Sequence, residues 1–215
     1  EKLYNKKNIH LADMRALRYN PAIYAAHEVY KKNIIGEPLL ITAQKSYKLG
    51  TRPDFYKKRK TYGGTILWVG IHAIDWVYWF TEGGIRDIDA GHTRKFNNNH
   101  GELESAALIF YRLKNGGLAG INIDYLRPDK ASTHGDDRIR IAGEKGIIEV
   151  MNNKALLITS NEETEIALQP EKNIFSEFVN QILNKDKCLV SAEDTFRVTE
   201  LAIKSQNAAD KNIFS

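Results

Sequence analysis

The stretch Gly63-Gly64-Thr65-Ile66-Leu67-Trp68-Val69-Gly70-Ile71-His72-Ala73-Ile74-Asp75-Trp76-Val77-Tyr78-Trp79-Phe80 is the most apolar run of the 215-residue chain. It is shorter than a membrane span and carries His72 and Asp75, which are costly in lipid, so it reads as a buried helix over residues 65–80. The two glycines permit its abrupt start, and Glu82-Gly83-Gly84 its left-handed stop. Leu67, Ile71, Ile74 and Tyr78 form one stripe at helical spacing, expected to face a sheet. A second stripe, Trp68, His72, Asp75 and Trp79, is aromatic and ionisable. His72 and Asp75, three apart, rise from one helix face, where the carboxylate could orient the imidazole for proton exchange near neutral pH. Spacing alone favours the other reading, a buried histidine tied to a neighbouring carboxylate for structure.

Upstream, residues 9–17 read as a strand. Asn20 and Pro21 then open a helix over residues 22–32, Asn20 as cap and Pro21 in the first turn. An extended run follows over 39–47. Residues 48–62 have no period and are polar, basic and aromatic, as in a loop that lies over something. Arg52, Tyr56 and Tyr62 from this loop, with Arg18 and Tyr19, are candidates to line a cleft beside the helix.

Downstream, residues 85–93, 105–113, 118–126, 138–142, 147–151, 155–160 and 164–168 read as strands. Asn115-Gly116, Glu144-Lys145-Gly146 and Asn152-Asn153 offer the positive-φ residues of tight hairpins, so pairing should be mainly antiparallel. Two helices close the chain. One spans 174–183 with Phe175, Phe178 and Ile182 on one face; the other spans 192–208 and opens with Ser191 and Asp194 in capping-box spacing. The fold class is α+β: a large, mostly antiparallel sheet with helices packed on one face. Leu108, Phe110, Ile121 and Ile123, on adjacent strands, are expected on the other face, where a second subunit would pair.

Composition narrows the function. The chain is 42% hydrophobic and 27% charged, with 31 basic against 27 acidic residues and a net charge of +4, which is a mixed surface. Lys57-Lys58-Arg59-Lys60 reads as solvated, so nucleic acid is not an expected partner, and neither is a membrane. Cys188, the single cysteine, excludes an internal disulfide framework and fits the cytoplasm. It lies in a Lys-Asp-Lys setting, and no G-x-S-x-G elbow or H-E-x-x-H pattern appears, so neither nucleophilic catalysis nor a metal is expected. No G-x-G-x-x-G follows a strand, so no dinucleotide cradle is expected in this chain.

Arg18-Tyr19-Asn20-Pro21, Ile35-Gly36-Glu37-Pro38, the glycine pair with its H-x-x-D helix, Ile141-Ala142-Gly143-Glu144-Lys145-Gly146 and the last helix together resemble the C-terminal part of the glucose-fructose oxidoreductase / inositol dehydrogenase (Gfo/Idh/MocA) family. The resemblance implies a dihydrodipicolinate-reductase-like C-terminal domain preceded by a Rossmann domain. It implies NAD or NADP in the intact parent, and a sugar, inositol or polyol substrate bound against the open sheet face. The family's proton-transfer histidine maps onto His72. The lysine of its Glu-Lys-Pro motif is absent, since Glu1-Lys2 is followed by Leu3. Where many members carry an aspartate four residues before the histidine, this chain has Trp68, suited to stacking on a sugar face.

On the same basis residues 1–33 would be the end of the dinucleotide-binding domain and its crossover helix, and 34–215 the substrate-binding and oligomerisation domain. Expected site residues are His72 and Asp75 for proton transfer and Trp68, Arg18, Tyr19, Arg52 and Tyr62 for substrate, in a chain inactive by itself. Two other readings stand beside this one: a non-catalytic sugar-binding module, and an oligomerisation platform.

Overall fold

The computed structural model describes residues 16–170 and 172–212, together with Tyr4, His10, Leu11 and Asp13. Residues 9, 12, 14 and 15 of the strand read over residues 9–17 lie outside them; His10, Leu11 and Asp13 carry no strand, and Ala16 and Leu17 belong to a 3₁₀ turn, Ala16–Tyr19. Helix α1 (Pro21–Tyr30) starts as its cap dictates, Asn20 Oδ1 accepting from the Ala22 and Ile23 amides at 3.0 and 3.2 Å. After β1 (Pro38–Tyr47) come a one-turn helix α2 (Arg59–Tyr62), a π turn (Ile66–Gly70) and helix α3 (Ile71–Phe80). Seven strands follow: β2 (Ile85–Thr93), β3 (Ala106–Leu113), β4 (Leu118–Asp124), β5 (Gly135–Gly143), β6 (Gly146–Met151), β7 (Lys154–Thr159) and β8 (Glu163–Glu165). Helices α4 (Ile174–Ile182) and α5 (Ala192–Lys211) close the chain, α5 with the capping box of Ser191 and Asp194.

The strands form one eight-stranded sheet in the order β2-β3-β4-β1-β5-β6-β7-β8. Every pairing is antiparallel except β1 with β4, whose connection runs through the long loop, α3 and a hairpin and so allows a parallel return. The α+β reading therefore holds. β5 is longer and β8 shorter than the pattern of apolar residues suggested. Gly116, Asn152 and Asn153 take the expected positive φ, whereas residues 144–146 do not. That turn is held instead by the Lys145 amide donating to Ile35 O at 2.9 Å, and its glycines are needed for closeness: a Cβ on Gly143 would collide with Ile35 O.

One sheet face is covered. Ile41 and Ala43 of β1, Ile109 and Tyr111 of β3, Ile121 and Ile123 of β4, Ile139 and Ile141 of β5 and Ile148 and Val150 of β6 meet Ala73, Val77 and Phe80 of α3 and Val198, Ala202 and Ala209 of α5. The four residues expected on the opposite face are thus divided. Ile121 pairs with Ile109 and both are buried, while Leu108 pairs with Asn122 and is 60% exposed. Cross-strand partners share a face and neighbours alternate, so Leu108 and Phe110 belong to the open face and Ile121 and Ile123 do not.

The stripe by which α3 meets the sheet is also displaced. Ile66, Gly70, Ala73, Val77 and Phe80 are buried, whereas of the expected stripe only Ile74 is buried and Leu67, Ile71 and Tyr78 are partly so. The segment is apolar nearly all round, so periodicity underdetermines its inner face. Close approach decides it: a Cβ on Gly70 would lie 2.5 Å from Ile123 Cδ1, so the glycine lets the π turn rest on β4. α4 stands apart, with Ile174 beside Tyr19, Cys188 and Val190, and Phe175 and Ile182 exposed.

His27 of α1 stacks on Trp79 of α3, ring centroids 3.6 Å apart and planes within 12°. Burial, with the Lys31 and Arg18 charges, lowers its pKa from the ordinary 6.5 to about 3. The folded chain thus holds a neutral imidazole that the unfolded chain protonates below pH 6.5. Its share of stability is complete above that value and is lost as pH falls toward 3. At pH 4.5 the loss should be about 2–3 kcal/mol. Urea denaturation of His27→Gln and the parent chain at pH 7 and 4.5 should show the variant losing that much less on acidification; equal losses would refute this account.

Candidate active site

The site begins where the π turn passes into α3. A π turn widens the backbone by one residue and re-aims the side chains that follow. Trp68 emerges 46% exposed, with its ring 5.6 Å from Phe55, 5.4 Å from Tyr56 and 5.9 Å from Tyr62. His72, one turn later, is half-buried, and Asp75 is 1% exposed. The aromatic and ionisable stripe therefore has an open end at Trp68 and a closed end at Asp75 and Trp79.

At the closed end, Arg18 grips Asp75 with two parallel bonds, Nη2 to Oδ1 at 2.6 Å and Nε to Oδ2 at 3.0 Å. Its Nη1 reaches Asp194 of the α5 capping box at 3.2 Å, and its guanidinium lies 5.2 Å from the Trp79 ring centroid. Burial by itself would lower the Arg18 pKa; the charge and bonds of Asp75, then of Asp194, outweigh it and leave it raised. Asp75 is therefore part of a neutral, buried pair. Tyr19 is also committed, donating to Glu177 at 2.7 Å and lying 3.4 Å from Cys188 Sγ. Arg18 and Tyr19 thus sit in tertiary contacts of their own, while Trp68, Tyr62 and Arg52 come together around one aromatic cluster.

That cluster is built by the basic loop. Tyr62 OH lies 3.0 Å from Thr65 Oγ1 and 3.1 Å from Tyr125 OH, and burial raises the pKa of both phenols, that of Tyr125 to about 12. The Arg52 guanidinium is held between the Tyr56 and Tyr125 rings, 5.4 and 5.0 Å from their centroids. The loop itself is pinned by Arg59, which bonds both Glu104 and Asp210. Glu104 is fully buried and also accepts from the Thr65 amide at 3.1 Å. His92 Nε2 completes the group, 2.9 Å from Asp210 Oδ1. His92, Glu104 and Asp210 have metal-ligand chemistry with atoms within 4.8 Å of one another, but Arg59 already supplies the counter-charge of both carboxylates. Gly64 leaves the space this needs, since a Cβ there would collide with Arg59 Nη1 and Gln206 Oε1.

Sequence reasoning missed Lys45. It is wholly buried on the helix side of β1, bonded to Asp137 and 4.9 Å from the Trp76 ring centroid, one turn beyond His72. Burial lowers its pKa and Asp137 opposes that. Its signal was parity: Ile41, Ala43 and Lys45 alternate inward, and a lysine at an inward position needs a partner. His134, a loop histidine, lies 5.5 Å from the Tyr47 ring at the same sheet end. All these side chains lie on the helix side of the sheet or at its edge, not on the open face where the resemblance placed the substrate. Gly83-Gly84, Gly116-Gly117 and Gly143 to Gly146 lie at strand ends and hairpins, and Gly63-Gly64 precedes the π turn, where Gly64 makes room for Arg59 and Gln206.

Residues 23–149 match the model of the GFO/IDH/MocA C-terminal domain. The chain belongs to the GFO/IDH/MocA family. A Thermotoga maritima protein assigned as an oxidoreductase is 44% identical over 99% of this chain and 65% of its own, with a TM-score of 0.94. Two more distant structures share the fold. An Agrobacterium radiobacter oxidoreductase in complex with NAD+, L-tartaric acid and magnesium is 17% identical over 99% of this chain and 66% of its own, TM-score 0.83. Levoglucosan dehydrogenase in complex with NADH and levoglucosan is 14% identical over 98% and 68%, TM-score 0.79. The chain spans about two thirds of the length of these proteins. No curated protein matches it.

Because Arg18 and Asp75 are each 1% exposed, removing one partner leaves the other charge buried. Arg18→Met should cost about 3–5 kcal/mol in urea denaturation, and Arg18→Met with Asp75→Leu distinctly less than Arg18→Met alone. A double variant as unstable as the sum of the single ones would show that the two charges are not coupled.

Proposed function

We propose that this GFO/IDH/MocA chain is the substrate-binding domain of an NAD(P)-dependent oxidoreductase acting on a secondary alcohol of a sugar- or polyol-like molecule, with His72 as proton donor or acceptor. The observation that carries the reading is the placement of a half-buried histidine one helical turn from an exposed tryptophan, on a helix whose closed end is locked by an ion pair. The polyhydroxylated molecules in the levoglucosan and tartaric acid complexes, and the NADH and NAD+ beside them, support it through the shared fold.

In this reading Trp68 and its aromatic neighbours stack on the apolar face of the substrate, and His72 exchanges a proton with the reacting hydroxyl. Asp75 serves as a positioning residue: held by Arg18, it fixes the turn that presents His72. NAD(P) accepts or supplies hydride. It is held by a further region of the parent, and this chain by itself is inactive. The lone buried thiol of Cys188 fits a cytoplasmic protein; among the described residues no helix is long and apolar enough to cross a membrane.

In the intact parent, His72→Ala should lower kcat for nicotinamide reduction over a polyol panel by about 10²–10⁴-fold while KM moves little. Full activity in that variant would remove His72 from the mechanism. Binding of a polyol by the parent with no turnover of any would favour the non-catalytic module instead.

A second reading concerns assembly. Leu40, Leu108 and Leu118 are 42%, 60% and 40% exposed on the open face of the adjacent strands β1, β3 and β4, with Phe110 also on that face, and patches of this kind mark interfaces. We infer a homo-oligomer through this face. Leu108→Arg should shift the sedimentation coefficient of the parent to a smaller species; a parent that sediments as a monomer at high concentration would overturn the inference.

A further inference from the structure

Arg52 differs from the other described arginines. Arg18, Arg59, Arg86, Arg127, Arg138, Arg140 and Arg197 each lie within 4.0 Å of a carboxylate. Arg94 and Arg112 have no such partner and are exposed to water, whereas Arg52 is half-buried without one. Its single hydrogen bond runs from Nη2 to Lys48 O at 3.2 Å, and its Nε is shielded from solvent with no acceptor. Withdrawing a guanidinium from water without a counter-charge is unfavourable, so an anion from outside the protein would be bound strongly there. The Tyr56 and Tyr125 rings fix its plane in advance, which lowers the entropy lost on binding.

The surroundings favour the same charge. Between Arg52 and Tyr62 the loop also carries Lys57, Lys58 and Lys60, with Arg59 committed to Glu104 and Asp210, against the single acid Asp54, which is paired with Lys57 at 2.7 Å. Arg52 also shares its aromatic cluster with Trp68: Tyr56 is 5.4 Å from the indole, and Tyr125 reaches it through Tyr62. We propose that Arg52 is an oxyanion-recognition residue, and that the substrate is an acidic sugar-like molecule carrying a carboxylate or a phosphate whose ring or chain lies on Trp68. The proposal rests on the oxidoreductase reading only for the hydroxylated part of that molecule.

The test uses the intact parent with its nicotinamide cofactor and matched sets of ligands: glucose, glucuronate and glucose 6-phosphate, and galactose, galacturonate and galactose 6-phosphate. Calorimetric binding and turnover are measured for each, in the parent protein and in Arg52→Gln and Arg52→Lys. One acid class, uronate or sugar phosphate, should bind at least about tenfold more tightly than the neutral sugar. Arg52→Gln should abolish that preference through Kd and KM, Arg52→Lys should restore part of it, and added salt should reduce it. The class preferred identifies the oxyanion. Neutral sugars binding as well as both acids, failure of every acid to bind, or an unaltered preference in Arg52→Gln would each overturn the proposal. If Arg52→Gln does not fold, the comparison of acids with neutral sugars in the parent protein decides. Acids bound without turnover would sustain Arg52 and sink the oxidoreductase reading; neutral sugars oxidised with no acid preference would do the reverse.

Discussion

The ion pair between Arg18 and Asp75 is the constraint on which the arrangement of the site depends. It joins three segments far apart in sequence: the 3₁₀ turn before α1, the helix α3 that carries His72, and the capped start of α5. A buried pair is poor evidence of net stability, because desolvation offsets most of the Coulomb attraction. Its value lies in specificity. A planar guanidinium with two parallel bonds to one carboxylate admits a single orientation of both, and α3 cannot turn about its axis without breaking them. The His27 ring stacked on Trp79, one turn beyond Asp75, adds a packed contact from α1 at the same end of the helix.

The opposite end of α3 is set by different means. Gly70 brings the π turn down onto Ile123, and the turn delivers Trp68 outward into the aromatic group of the basic loop. A loop this long gains little from its own backbone, so its position must come from side chains. Arg59 provides this by reaching past the loop to Glu104 and Asp210, in the gap left by Gly64. Ion pairs thus fix both the helix that presents His72 and the loop that presents Arg52 and Tyr62, while the exposed Trp68 stands between them.

Much of the fold was legible in the sequence because it depends on local signals: the Asn20 cap, the Ser191 capping box, Gly116 and the asparagine pair at 152–153 each acted where they stand. Misreadings arose where a long-range contact decides. The inner stripe of α3 is chosen by the approach of Gly70 to β4, the turn at 144–146 is held by Ile35, and the assignment of Ile121 and Ile123 to a face follows from strand register. At the site, helical spacing placed Trp68, His72 and Asp75 correctly on one segment, but no spacing could show that Arg18, 57 residues earlier, takes up the carboxylate. Lys45 was readable by parity and was overlooked because a lysine in a strand is usually at the surface. The His92, Glu104, Asp210 and Arg59 group had no sequence signal at all, its members being drawn from a strand end, a loop and two helices.

The Trp68 position sharpens what this chemistry requires. Asp75 is neutralised by Arg18, so it does not add a free negative charge beside His72, and Trp68 puts an indole where the family resemblance implies an acid. Under the proposed function, proton transfer on this chain's side of the site then rests on the imidazole. In the same proposal, orientation of the substrate passes from hydrogen bonds to stacking, which is permissive about which hydroxyls a ring carries. A permissive stacking surface needs a directional contact to fix the ring's register against His72. Among the described side chains of the aromatic cluster, the unpaired, ring-clamped guanidinium of Arg52 is the group suited to supply it.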